Sequence, residues 1–142
     1  MNDMKVRPAG GKLGVMCVGL GAVTTTAITG VLMSRKGLSK PIGSFACEGI
    51  MRVGKGRDKC YKEVKDLVPV ASLDDMVFGA WDLYEDDAYD AAVKAAVLKP
   101  QDVEPVKDEL KAIKPYKALF DKNYASNIDG PNVKVGATRW EL

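Results

Sequence analysis

Lys12 to Lys36, KLGVMCVGLGAVTTTAITGVLMSRK, limits what this chain can fold into more than any other stretch. Leu13 to Val18 is a short apolar run with β-branched members that ends in glycine, the pattern of a buried parallel strand. From Ala22 to Ser34 small and aliphatic residues recur at helical spacing, at Val23, Ala27, Gly30, Val31 and Ser34. Arg35-Lys36-Gly37 then supplies a cationic last turn and a glycine stop. Gly19-Leu20-Gly21 must therefore turn a strand sharply into a helix packed tightly on a sheet.

In a dinucleotide-binding turn the first glycine permits the sharp change of direction. The second lets the backbone approach a pyrophosphate. The helix N-terminus adds unpaired N–H groups and about half a positive charge. Gly19 and Gly21 fit both roles, and Ala22 leaves further room. A third glycine ordinarily serves helix–strand packing, and Thr24 stands in its place. Two readings of Thr24 are open: its methyl packs while its hydroxyl bonds locally, or Thr24, Thr25 or Thr26 donates to a phosphate oxygen. There is no GxxxxGK[ST], so a P-loop is excluded.

The remainder reads as further α/β units. Pro41 to Cys47 is a predicted second strand, and Arg52 to Val64 is an irregular insert or a small hairpin. Met76 to Trp81 is an apolar strand ending at Asp82. Asp86 to Leu98 is a helix, opened by aspartates, filled with alanine and closed by Lys99-Pro100. Val103 to Ile113 and Tyr116 to Tyr124 are expected to be shorter helices, and Asn132 to Val135 a loop or a last strand. This order implies a Rossmann-like open parallel sheet flanked by helices over residues 12–142, behind a polar arm at residues 1–11. GATRWEL stops on residues that read as the start of an element, so the domain is expected to be incomplete.

The acid that such a fold places at the end of its second strand has two candidates. Glu48 follows the predicted second strand, and is equally read as an exposed loop carboxylate. Asp82 is the better placed of the two, because it follows an apolar strand directly; it can accept from ribose hydroxyls, or else cap the helix near Asp86.

Composition removes other chemistries. The chain has no histidine, so it lacks Ser-His and Cys-His nucleophile pairs. Its three cysteines, Cys17, Cys47 and Cys60, form no CxxC pair, so no zinc or other metal site is expected. They read as reduced thiols. A net charge of +2 gives no strongly basic nucleic-acid surface, and Lys55, Lys59 and Lys62 are interleaved with Asp58 and Glu63. The apolar segment after the arm is too interrupted for a signal peptide or a membrane span, which points to a cytoplasmic protein.

Two motifs together resemble one family. Val18-Gly19-Leu20-Gly21-Ala22-Val23-Thr24-Thr25-Thr26, followed by Val77-Phe78-Gly79-Ala80-Trp81-Asp82-Leu83, is similar to the N-terminal part of inositol-3-phosphate (myo-inositol-1-phosphate) synthases. The likeness runs on through Ala95-Ala96-Val97-Leu98 to Tyr124-Ala125-Ser126-Asn127, and so covers most of the chain. Eukaryotic members carry an asparagine-rich turn where this chain has Ala22-Val23-Thr24, so the resemblance is to the bacterial branch. It implies NAD as cofactor, contacted by Gly19, Leu20, Gly21, Ala22, Val23 and Thr24 through the backbone and by Asp82. It implies conversion of D-glucose 6-phosphate to myo-inositol phosphate by oxidation, aldol cyclisation and re-reduction in a homotetramer. The lysines that act on the sugar phosphate lie beyond the matched region, so no catalytic residue is assigned here. Two other readings stand beside it: a nucleotide-binding module without catalysis, and a fragment of an NAD(P)-dependent dehydrogenase.

Overall fold

The computed structural model describes residues 10–136 and 140–141. The expected N-terminal arm, apart from Gly10 and Gly11, lies outside them.

Strand β1 (Leu13–Val18) leads through the glycine turn into α1 (Ala22–Arg35). Strand β4 (Met76–Asp82) pairs with β1 in parallel, Leu13 opposite Met76 and Val18 opposite Trp81. β5 (Tyr116–Lys117) pairs with the far edge of β4, also in parallel, opposite Trp81 and Asp82. The three-stranded sheet thus has the order β1-β4-β5, with β4 central. Its architecture is the expected one, a parallel sheet flanked by helices. Between α1 and β4 lie the short helix α2 (Phe45–Glu48) and an antiparallel hairpin of β2 (Ile50–Val53) and β3 (Cys60–Glu63).

Four sequence expectations are not met in full. Pro41–Cys47 is not a strand: Gly43 takes φ +93° and the Ser44 hydroxyl accepts from the Cys47 N–H, which starts α2 instead. Gly49 closes that turn, and a Cβ there would lie 2.2 Å from the Phe45 carbonyl oxygen. Tyr116–Tyr124 is not a helix. Pro115 and the open edge of β4 favour an extended start, and pairing across strands overrides local propensity. The helix expected over Asp86–Leu98 is shorter, α3 (Ala88–Ala95), ending at Ala96 in a left-handed conformation with φ 53°. The predicted helix over Val103–Ile113 divides into the end of α4 (Pro100–Val103), one tight turn and α5 (Lys107–Ala112).

The core sits between one face of the sheet and the helices. Leu20, Ile28, Leu32, Ala80, Ala88, Ala92, Val103, Val106 and Leu110 form it, with Cys17 and Phe78 packed against it. Cys17 therefore keeps its expected strand position. Cys47 lies in α2, not a core strand, and Cys60 is exposed. Arg35 ties the end of α1 to the start of β4: its guanidinium donates to the carbonyls of Leu73 and Met76 and lies 5.9 Å from the centre of the Phe78 ring.

One buried group in this core is unsatisfied. Thr29 is 2% exposed and its hydroxyl has no hydrogen-bond partner. A buried unpaired hydroxyl costs about 1–3 kcal/mol. Replacing Thr29 with valine, which keeps the shape and removes the orphan, is expected to stabilise the fold by about 1 kcal/mol. A urea denaturation series would check this through a rise in midpoint at unchanged slope.

Candidate functional site

The turn between β1 and α1 is held from both sides. Gly19 adopts φ +92°, a conformation that favours glycine, and its N–H donates to the Trp81 carbonyl at 2.8 Å. The Leu20 side chain enters the core, while its N–H donates to Asp82 Oδ2 at 2.5 Å. Gly21 opens the helix with no side-chain cap, and the first helical bond runs from the Thr25 N–H to the Gly21 carbonyl at 2.9 Å. Among the described residues, the N–H groups of Ala22, Val23 and Thr24 meet no acceptor, and no acidic side chain sits in the first turn. The positive end of a 14-residue helix is thereby left open.

The threonines divide their roles. Thr25 donates to the carbonyls of Gly21 and Ala22, at 3.0 and 3.2 Å, and Thr26 donates to Ala22 at 2.7 Å. Both hydroxyls serve the helix backbone. The half-buried Thr24 hydroxyl has no such bond among the described residues, so of the three it is the one open to a ligand.

Asp82 ends β4 beside this turn. Its second oxygen, Oδ1, accepts from the Tyr84 N–H at 3.0 Å. One lone-pair position on each oxygen is still free, since an ionised carboxylate accepts about four hydrogen bonds. The alternative role as a helix cap belongs to Asp87, which accepts from the N–H groups of Tyr89 and Asp90. With no strand at Pro41–Cys47, β4 is the next strand of the sheet after β1 and lies against it. Asp82 therefore ends the strand that adjoins β1, and the α2–hairpin insert accounts for its long spacing from the turn in sequence. Glu48 is not brought to the turn. It lines a separate cleft of about 550 Å³ with Ser34 and Arg35, at the opposite end of α1.

Two clefts meet at Gly19, Asp82 and Leu83. One, of about 630 Å³, lies between Gly19–Ala22, Tyr84 and the α3 residues Ala91, Lys94 and Ala95. Lys94 pairs there with Asp86 at 2.6 Å, and the hydrogen bond to that carboxylate raises the lysine pKa above its ordinary value. The other, of about 470 Å³, is mainly apolar, walled by Val18, Trp81, Leu83, Leu119, Phe120 and Ile128. Lys94, Leu119, Phe120 and Ile128 carry no local sequence signal for this site; the packing of α3 brings the first to the turn, and the return of residues 116–128 to β4 brings the others. Among the described residues no cluster of three or more metal-ligating side chains occurs, and no helix is long and apolar enough to cross a membrane.

A strand, a glycine turn and an uncapped helix, with an acid ending the adjoining parallel strand, place the protein among the Rossmann-like dinucleotide-binding folds. An NAD-binding family model described as myo-inositol-1-phosphate synthase matches residues 13–141. The chain is 51% identical over 139 residues to inositol-3-phosphate synthase 1 of Bacteroides thetaiotaomicron, covering 97% of this chain and 32% of that protein. It is 30% identical over 131 residues to inositol-3-phosphate synthase isozyme 1 of Arabidopsis thaliana, covering 84% and 26%. The crystal structure of inositol-3-phosphate synthase from Caenorhabditis elegans superposes with a TM-score of 0.72 at 17% identity, over 89% of this chain and 28% of that one. The chain belongs to the myo-inositol-1-phosphate synthase family and carries its NAD-binding segment. It spans about a third of the length of the Bacteroides relative.

Proposed function

We propose that this chain holds NAD for an inositol-3-phosphate synthase, with the pyrophosphate on the α1 N-terminus and the adenosine ribose on Asp82. The observation that carries this reading is the open row of N–H groups at Ala22, Val23 and Thr24, adjoining a glycine with empty space beside it. A Cβ built on Gly21 meets nothing within 4 Å, which leaves room for a phosphate to approach the backbone. Gly19 and Leu20 act differently: their N–H groups are engaged with Trp81 and Asp82, so they shape the turn while Gly21 to Thr24 face the ligand. The apolar cleft at Leu119, Phe120 and Ile128 suits a planar base next to that ribose.

Joined to the remainder of a synthase, the segment would serve conversion of D-glucose 6-phosphate to myo-inositol phosphate in a cytoplasmic homo-oligomer. Bound NAD supplies reversible hydride acceptance from the sugar. The residues described here bind it, orient it and shield it from water.

A chimaera tests this directly. Residues 13–141 of this chain would replace the matching segment of the Bacteroides synthase. The chimaera is expected to convert D-glucose 6-phosphate to inositol phosphate in an NAD-dependent assay. A folded chimaera that binds NAD+ and yields no inositol phosphate would overturn the synthase reading and favour a binding module without turnover.

A further inference from the structure

We infer that Asn132 is a positioning residue of the nucleotide site, acting through Asp82; this rests on the reading that Asp82 meets the cofactor. Asn132 is 5% exposed and far from the glycine turn in sequence. Its side-chain amide nitrogen faces three carbonyl oxygens: Asp82 at 3.0 Å, Tyr116 at 3.3 Å and Tyr84 at 3.4 Å. Carbonyl oxygens only accept, so the nitrogen must be the atom turned toward them. The backbone of Asn132 completes the attachment. Its N–H donates to the Leu83 carbonyl at 2.8 Å, and its carbonyl accepts from the Ala118 N–H at 2.9 Å.

One buried residue thus holds the main chain of Asp82, Leu83 and Tyr84 in succession, and joins it to the end of β5. This is the segment whose geometry aims the Asp82 carboxylate. Asp82 Oδ1 takes its hydrogen bond from the Tyr84 N–H, and Asn132 fixes the peptide groups before and after that donor. Gly130 allows the approach, because a Cβ there would lie 2.6 Å from the Leu83 carbonyl oxygen. An apolar residue of the same size would take the side-chain donor from three carbonyls at once and loosen the hold on this segment.

The test is a double-mutant cycle on this chain, with Asn132→Ala, Asp82→Ala and the double variant titrated with NAD+ by ligand-observed NMR. Asn132→Ala is expected to weaken NAD+ binding about 10-fold, the worth of one ordinary hydrogen bond. In the Asp82→Ala background the same change is expected to have no further effect. Inorganic pyrophosphate, which needs only the α1 amides, should keep its affinity in Asn132→Ala. Unchanged NAD+ affinity in Asn132→Ala, additive losses in the double variant, or a parallel loss of pyrophosphate affinity would each overturn the positioning role. Unchanged NAD+ affinity in Asp82→Ala would instead remove Asp82 from the site, a separate result. Should Asn132→Ala not melt cooperatively, the cycle is read on Asn132→Ser, which retains one donor and is expected to lose affinity about 3-fold.

Discussion

Gly21→Val is expected to weaken NAD+ binding about 100-fold or more while costing the fold little. The two effects separate because of where Gly21 sits. Its φ is not in the left-handed region, and an added Cβ meets nothing within 4 Å. Valine is thus tolerated by the protein itself, at a modest cost for a β-branched residue next to a helix start. The space it fills is the space through which a phosphate reaches the N–H groups of Ala22 to Thr24. Filling a close contact costs about 1–3 kcal/mol even where neighbours can shift. Here it also displaces the anion from the helix end, so a loss of about 100-fold or more follows. Calorimetric titration with NAD+ alongside thermal melting checks both halves. A folded Gly21→Val variant with wild-type affinity would show that the cofactor does not cross this turn. Gly19 is not an equivalent probe. At φ +92° any side chain strains the turn, so a binding loss there would be confounded with damage to the fold.

The parts of this fold legible in sequence are those where one local signal has one outcome. β1 and β4 are apolar runs ended by a glycine or an acid, and both are strands at the expected positions. The glycine turn and α1 follow from small residues at helical spacing, and the structure ends α1 within one residue of expectation. What was not legible depends on partners distant in the chain. Tyr116 and Lys117 become a strand because β4 offers an unpaired edge, and nothing within residues 116–124 encodes that edge. PIGSFAC looks extended by composition, yet Gly43 and Ser44 act as turn and helix cap, and those two residues decide the outcome. The candidate site divides in the same way. Gly19 to Thr24 stand out in sequence because the strand-to-helix turn is contiguous. The preference for Asp82 over Glu48 also came from sequence, but its reason came from topology: β4 is the strand next to β1. Asn132 carried no signal beyond a turn-rich Gly130-Pro131-Asn132, since its importance lies in three carbonyls brought together only by folding.

Asp82→Ala is the change expected to act on both fold and cofactor, and the two contributions can be separated. In the protein alone, the carboxylate bridges the N–H groups of Leu20 and Tyr84, joining the β1 turn to the end of β4. Removing it leaves the part-buried Leu20 N–H without its acceptor, while the exposed Tyr84 N–H can turn to water, at a cost of about 1–2 kcal/mol. Asparagine would not repair the bridge, because its amide nitrogen would confront one of the two N–H groups with another donor. For the cofactor, the carboxylate offers its free lone pairs to ribose hydroxyls, and a hydrogen bond to a charged group contributes about 1.5–3 kcal/mol. NAD+ affinity is therefore expected to fall about 10- to 100-fold in a variant that still melts cooperatively. The same charge disfavours a 2′-phosphate, so the loss for NADP+ is expected to be smaller and the ratio of the two affinities to narrow. Parallel titrations with NAD+ and NADP+ read this ratio, which a destabilised turn alone would not alter, because both cofactors share the pyrophosphate. If both affinities fall by the same factor, Asp82 acts only as a clamp on the turn. If the ratio narrows, its carboxylate faces the ribose.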